Sequence, residues 1–209
     1  MVLTERLVIV DYGSGNLRSV QKAFERLGTA ATISSMASDV ESADVVVLPG
    51  VGAFGDAMRE LSTRQLVEPL RRHTALDKPF LGICMGLQLL FERGREGGLH
   101  EGLGVLSGEV VRFDDRPSLK VPHMGWNAVA WSGHATLEGD GRGGDHYYFV
   151  HSYHARPADP SVVLGTTDYG GDFCSAVLRG RLVATQFHPE KSQAAGMRFL
   201  EWFLQKVAL

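Results

Sequence analysis

Cys84 lies in Gly82-Ile83-Cys84-Met85-Gly86, directly after a short apolar run and directly before a helix-like run. A cysteine with a glycine two residues away on each side, at a strand-to-helix turn, fits the sharp elbow that lifts a nucleophile above a sheet. The same turn would aim the sulfur at the positive end of a helix dipole, which favours the thiolate. A buried structural cysteine would have no need of those glycines. Cys174, in Phe173-Cys174-Ser175-Ala176-Val177, lacks such a setting and reads as strand interior. Far along the chain, His188-Pro189-Glu190 closes the apolar run 182–187. An imidazole at that strand end can take a thiol proton and return it to a leaving amine, and a carboxylate two residues on can fix its tautomer. Cys84, His188 and Glu190 together point to a hydrolase or amide-transfer site.

Acyl chemistry at a thiol also needs donors for the oxyanion of the tetrahedral intermediate. The N–H of Met85, next after the nucleophile, is one candidate. Pro49-Gly50-Val51-Gly52, at the end of another strand-like run, is the other, because its glycines let backbone N–H groups point inward and let the peptide flip. An ordinary β-to-α turn or a phosphate cradle are the competing readings, although the Gly-Lys-Ser/Thr of a Walker loop is absent. Asp11-Tyr12-Gly13-Ser14-Gly15-Asn16 has a Gly-x-Gly after a strand but lacks the third glycine of a dinucleotide fingerprint. His100, His123, His146 and His154 are too scattered to suggest metal ligands, so neither a metal nor a cofactor is expected.

These residues need a frame. Leu7-Val8-Ile9-Val10, Val45-Val46-Val47-Leu48 and Phe80-Leu81-Gly82-Ile83 are continuous apolar runs, as in strands buried on both faces. Leu17, Val20, Phe24 and Leu27 recur at helical spacing, with Gly28 where a helix-terminating glycine belongs. A second helical region is expected over much of 56–73, broken before Pro69, and a third through Leu87, Leu90 and Phe91. This alternation predicts an α/β fold with a parallel sheet and helices on both faces. In the second half, strand-like pieces at 109–113, 127–131, 147–153, 162–166, 173–178 and 182–187 have short glycine-rich connections and read as antiparallel hairpins. Residues 139–144, with four glycines in six positions, read as a surface loop. An amphipathic helix over about 193–207, with Met197, Leu200 and Leu204 on one stripe, closes the chain. No repeat or linker divides 1–209, so one domain is expected.

The bulk composition is that of an ordinary globular chain: 209 residues, 44% hydrophobic, 22% charged, net charge −3. There is no basic footprint for nucleic acid and no stretch near the roughly 18 apolar residues of a membrane span. No signal-peptide cleavage motif is evident at the N-terminus. Two cysteines 90 positions apart fit free thiols in the cytosol.

Gly82-Ile83-Cys84-Met85-Gly86-Leu87-Gln88 with Phe187-His188-Pro189-Glu190-Lys191-Ser192 resembles the class I (triad) glutamine amidotransferases. Asp11-Tyr12-Gly13-Ser14-Gly15-Asn16, Pro49-Gly50-Val51-Gly52-Ala53-Phe54, Val121-Pro122-His123-Met124-Gly125-Trp126-Asn127 and Tyr148-Phe149-Val150-His151-Ser152-Tyr153 narrow the likeness to the glutaminase subunits of imidazole glycerol phosphate synthase. The resemblance runs from Asp11 to the C-terminal helix. It implies a flavodoxin-like sandwich, a mostly parallel central sheet flanked by helices with added antiparallel strands. It also implies a heterodimer with a (β/α)8-barrel synthase in histidine biosynthesis, to which ammonia from L-glutamine is channelled. In that family pattern Cys84 is the nucleophile, forming a γ-glutamyl thioester. His188 is the acid and base, and Glu190 orients it. Gly50, Val51, Gly52 and Met85 form the oxyanion hole. Gln88, Ser152 and Tyr153 hold the amino-acid end of glutamine, while Asn16, His123, Met124 and Trp126 face the synthase. Two rivals remain: a glutaminase serving another acceptor, such as pyridoxal phosphate or anthranilate synthesis, and a partner-binding module without chemistry. The Pro122–Asn127 pattern opposes the first, and the intact triad opposes the second.

Overall fold

A computed structural model of the chain describes residues 6–116, 119–133 and 145–208; the glycine-rich segment 139–144 lies outside them. The elements run β1 (Leu7–Val10), α1 (Leu17–Arg26), β2 (Ala31–Ser34), α2 (Ala37–Ser42), β3 (Val45–Gly50), α3 (Phe54–Thr63), α4 (Val67–Ala75), β4 (Phe80–Cys84) and α5 (Met85–Gln88). They continue with β5 (Phe91–Gly94), β6 (His100–Glu101), β7 (Leu106–Arg112), β8 (His123–Ala128), β9 (Ala130–Trp131), β10 (His146–His151) and β11 (Tyr153–Pro157). The last are β12 (Val163–Asp168), β13 (Asp172–Arg179), β14 (Leu182–Thr185) and α6 (Gln193–Phe203).

The main sheet is ordered β2-β1-β3-β4-β14-β13-β11-β7-β5-β6, with β12 and β9 attached through β13. From β2 to β14 the neighbours are parallel. From β14 through β13 and β11 to β7 they are antiparallel. The apolar runs of the parallel strands are buried on both faces because successive side chains point to opposite sides. Leu7, Ile9, Val45, Val47, Leu81 and Ile83 pack with Val20 and Phe24 of α1 and Phe199, Leu200 and Phe203 of α6. Val8, Val10, Val46, Leu48 and Phe80 pack with Val40, Phe54, Leu61 and Leu70 of α2, α3 and α4. Burying one such Val, Leu or Phe side chain is worth about 1.5–3 kcal/mol, so the strand pattern and the helix stripes stabilise each other.

The structure corrects several boundaries. The helical stretch expected over 56–73 is two helices, and the break falls at residues 64–66, where Gln65 takes φ 58°. Pro69 sits in the first turn of α4, where its missing N–H costs no helical bond. The helix expected through Leu90 and Phe91 stops after one turn. Phe91 begins β5, which pairs parallel to β7. An apolar run that short fits either period, and sheet pairing decides it. The run 127–131 is two strands meeting at Val129, and 147–153 is divided at Ser152. β2 and α2, in a polar stretch without clear periodicity, had no counterpart in the sequence reading. α6 ends at Phe203 in a π-helical turn, Leu204–Ala208. β8 and β10 pair antiparallel as a two-stranded ribbon separate from the main sheet.

Candidate active site

The carboxyl ends of β1, β3, β4 and β14 carry, in turn, the Asp11–Asn16 loop, Gly50, Cys84 and His188, the edge at which open α/β sheets place their sites. Cys84 ends β4 directly opposite Gly50 of β3. Its backbone sits at φ 54°, ψ −104°. For a residue with a side chain this conformation costs of order 1–3 kcal/mol. The flanking glycines let the turn close: a Cβ on Gly86 would lie 1.8 Å from the Leu48 carbonyl oxygen, and one on Gly82 would lie 2.8 Å from that of Gly86. Met85 opens α5, so its N–H is among the unpaired donors of a helix start.

His188 is buried and begins the 3-10 turn Pro189–Lys191. Its Nδ1 lies 2.9 Å from Glu190 Oε1, and both side chains are almost fully buried. Because the carboxylate only accepts, Nδ1 carries the hydrogen and Nε2 is left for chemistry. Burial opposes the imidazolium, but Cys84 and then Glu190 outweigh it and hold the His188 pKa up at about 9. Among the described residues Nε2 has no hydrogen bond of regular geometry, even though Cys84 is the neighbour that most favours its charge. Two backbone ties fix the turn. The His188 N–H donates to the Tyr148 carbonyl of β10 at 2.9 Å, and Ser192 Oγ accepts from the Tyr148 N–H while donating to the His188 carbonyl at 2.6 Å.

A cleft of about 300 Å³ opens beside the sulfur. Val51, Gly52, Cys84, Met85, Gln88, Ser152 and Tyr153 line it, so the nucleophile, the expected oxyanion residues other than Gly50, and the expected glutamine-binding residues face one space, while Gly50 and His188 lie outside its lining. Gly52 has φ 97°, and the Val51 carbonyl accepts a 2.7 Å hydrogen bond from Ser14 Oγ, tying this segment to the first loop.

The expected partner-facing residues divide. Asn16, Met124 and Trp126 are exposed. His123 is not. It is 3% exposed, its ring stacked between Tyr169 and Phe149, because strand alternation along β8 turns Met124 and Trp126 outward and His123 inward. Nor are the histidines as scattered as the sequence suggested: His123, His151 and His154 surround Phe113. Among the described residues no group of three or more His, Cys, Asp or Glu could hold a metal.

Two site residues escaped the sequence reading. Gln186, fully buried, donates from Nε2 to Cys84 Sγ at 3.6 Å. An amide within an apolar strand, two residues before His188, was the available signal. Glu96 also lines the cleft, and its Oε2 accepts the Phe54 N–H at 2.8 Å at the start of α3. It stands in a charged, glycine-containing segment that reads as surface, and nothing local marked it.

Residues 8–207 match the family described as Glutamine amidotransferase class-I. The chain is 59% identical over 197 residues to the imidazole glycerol phosphate synthase subunit HisH of Rhodopirellula baltica, covering 94% of this chain and 96% of that one. It is 52% identical over 202 residues to the protein of the same description from Aquifex aeolicus, covering 96% and 97%. A crystal structure of a glutamine amidotransferase superposes with a TM-score of 0.75 at 21% identity, over 97% of this chain and 99% of the other. The structure of PurLQS from Thermotoga maritima gives 0.72 at 17%, over 96% and 97%.

Proposed function

The chain belongs to the class-I glutamine amidotransferases and, among them, to the HisH subunits of imidazole glycerol phosphate synthase, and from that premise we propose that it hydrolyses L-glutamine and delivers the ammonia to a (β/α)8-barrel synthase subunit. The barrel would use it to form imidazole glycerol phosphate and aminoimidazole carboxamide ribotide in histidine biosynthesis. Residues 1–209 act as one glutamine amidotransferase domain in this reading, in the cytoplasm, where the unpaired thiols of Cys84 and Cys174 stay reduced.

His188 Nε2 takes the Cys84 thiol proton as the sulfur attacks the carboxamide carbon of glutamine. The carbonyl oxygen takes the negative charge, and the Met85 N–H with the Gly50-Val51-Gly52 segment would stabilise it. Collapse of the intermediate breaks the C–N bond as His188 Nε2 gives its proton to the departing nitrogen, releasing ammonia and leaving a γ-glutamyl thioester. Water then adds to the thioester, His188 takes its proton, and the thiolate leaves with glutamate as product. Glu190 keeps the proton of Nδ1 directed at itself throughout. Gln88, Ser152 and Tyr153 would hold the amino-acid end of the substrate, and Glu96, the carboxylate among the cleft's described residues, suits its ammonium group. Asn16, Met124 and Trp126 would meet the synthase.

The observation that carries the reading is a Glu190-oriented His188, its pKa held up by Cys84 and Glu190, next to a Cys84 that lines the cleft. The test is co-purification with a candidate (β/α)8 synthase and assay of glutamate release with and without that subunit and its ligand. We expect slow release by the isolated chain, strong stimulation in the complex, and none from Cys84→Ala. Full activity of the isolated chain, or no glutamate from either sample, refutes it.

A further inference from the structure

Six side chains and one carbonyl form a continuous, mostly buried path from the β8–β10 ribbon to the nucleophile. Asn127 Nδ2 lies 3.3 Å from His123 Nε2, His123 Nδ1 lies 3.0 Å from His151 Nε2, and His151 Nδ1 lies 2.8 Å from the Tyr153 carbonyl. The same carbonyl accepts from Gln88 Nε2 at 2.9 Å. Gln88 Nε2 also donates to Gln186 Oε1 at 3.0 Å, and Gln186 Nε2 reaches Cys84 Sγ at 3.6 Å.

The acceptors at its ends and middle fix every donor. The Tyr153 carbonyl can only accept, so His151 carries its hydrogen on Nδ1, and its Nε2 accepts from His123 Nδ1–H. His123 Nε2 then accepts from Asn127, whose amide is oriented by donation to the Asp168 carbonyl at 2.9 Å and acceptance from the Ala128 N–H at 2.8 Å. This register needs both imidazoles neutral, and burial lowers the His123 pKa to about 4 and the His151 pKa to about 3. A path with one permitted register cannot pass a proton along. It can only hold its members at fixed separations.

We propose that His123 and His151 are positioning residues of the glutaminase site. They tie the ribbon that bears the exposed Met124 and Trp126 to the Tyr153 carbonyl, Gln88, Gln186 and the Cys84 sulfur, so that docking on the ribbon is felt at the nucleophile. The inference rests on the function proposed above and adds its route of control. Displacing the ribbon by about 1 Å is enough to break a 3.0 Å hydrogen bond, and the loss is passed to the one carbonyl that both arms share.

The test compares the rate of Cys84 alkylation by iodoacetamide in the isolated chain and in its complex with the (β/α)8 subunit. In the wild type we expect the two rates to differ by about fivefold or more. His123→Phe keeps an aromatic ring between Tyr169 and Phe149 but removes both nitrogens, and should bring the ratio below about twofold. His123→Asn can place its amide N–H where Nδ1–H stood and should preserve the ratio. His151→Phe keeps an aromatic ring but removes both the acceptor of the His123 Nδ1–H and the donor to the Tyr153 carbonyl, and should act like His123→Phe even if the latter folds poorly. A wild-type ratio near one, an undiminished ratio in His151→Phe, or equal loss in His123→Phe and His123→Asn would each overturn the proposal. Glutamate release measured on the same wild-type complex separates the two readings. A complex that makes no glutamate yet passes the alkylation test refutes only the glutaminase function; an active complex that fails it refutes only the tie.

Discussion

Gly50→Ala probes the oxyanion segment by space alone, because Gly50 does not adopt the left-handed backbone that excludes alanine. An added Cβ would lie 1.9 Å from the Tyr12 hydroxyl oxygen, 2.9 Å from Met85 Cβ and 3.0 Å from Tyr12 Cζ. Recovering ordinary contact requires a shift of about 1.5 Å, and Tyr12 is fully buried and has no open side to move into. Overpacking of this kind costs about 1–3 kcal/mol, or about 2–4 °C in Tm for each kcal/mol at this chain length. The segment's N–H groups move with Gly50, so kcat for glutamate release in the complex should fall about 100-fold. Tyr12→Phe is the matched control. The hydroxyl is buried with no hydrogen-bond partner among the described residues, so removing it should stabilise the chain by up to about 1 kcal/mol. In the Gly50→Ala background it also removes the 1.9 Å contact, leaving only those near 3 Å, and should recover a further ~1 kcal/mol as a coupling energy between neighbours. Urea unfolding of the four proteins measures this cycle. If Gly50→Ala unfolds within about 0.5 kcal/mol of wild type, or if the two substitutions simply add, the steric reasoning is wrong.

His188 is held near pKa 9, above its ordinary value, so the charged ring should be lost as pH rises through about 9, and with it the proton the leaving nitrogen needs; kcat/KM for glutamine should fall on that alkaline limb. Glu190→Gln removes a carboxylate that favours the imidazolium and should move the limb to lower pH, whereas an unmoved limb assigns it to another group. Burial pushes the Cys174 thiol up to about 12, so a glutamine analogue carrying a diazoketone should label Cys84 alone, as peptide mapping by mass spectrometry would reveal; label on Cys174 counts against the site. Trp126 is 46% exposed, and Trp126→Ala should weaken binding to the synthase subunit by about 2 kcal/mol in calorimetry without lowering Tm, whereas a large Tm loss would make it a packing residue.

What could be read from the sequence was what is local in it. The elbow is carried by five consecutive residues, the turn of His188 and Glu190 by three, and the buried parallel strands by unbroken apolar runs, so each announces itself without tertiary context. Boundaries failed where a neighbour decides. Leu90 and Phe91 fit a helix stripe until β7 is there to pair with β5. Pro69 reads as a breaker until α4 is seen to begin just before it. The resemblance sets His123 toward the synthase together with Met124 and Trp126, yet alternation along β8 turns adjacent residues to opposite sides. Gln186 and Glu96 were missed for the same reason: their partners, Cys84 and Phe54, are 102 and 42 positions away.

Among the described residues, two buried atoms of the triad, His188 Nε2 and Glu190 Oε2, have no hydrogen bond of regular geometry, normally a cost of about 1–3 kcal/mol each. Nε2 is the atom proposed to deliver a proton to the leaving nitrogen. A resting site in which sulfur and imidazole satisfied each other fully would have to break that bond before every turnover. Here the sulfur, held on a backbone at φ 54°, also takes a hydrogen bond from the Gln186 amide, which limits how fully it satisfies Nε2. Gln186→Leu should therefore slow the reaction by about tenfold even though the triad is intact. Without the amide, Cys84 and His188 are free to relax toward each other and spend in the ground state the interaction that catalysis needs in the transition state. An unchanged kcat in this variant would mean that the triad geometry is held by the elbow and the Pro189–Lys191 turn alone.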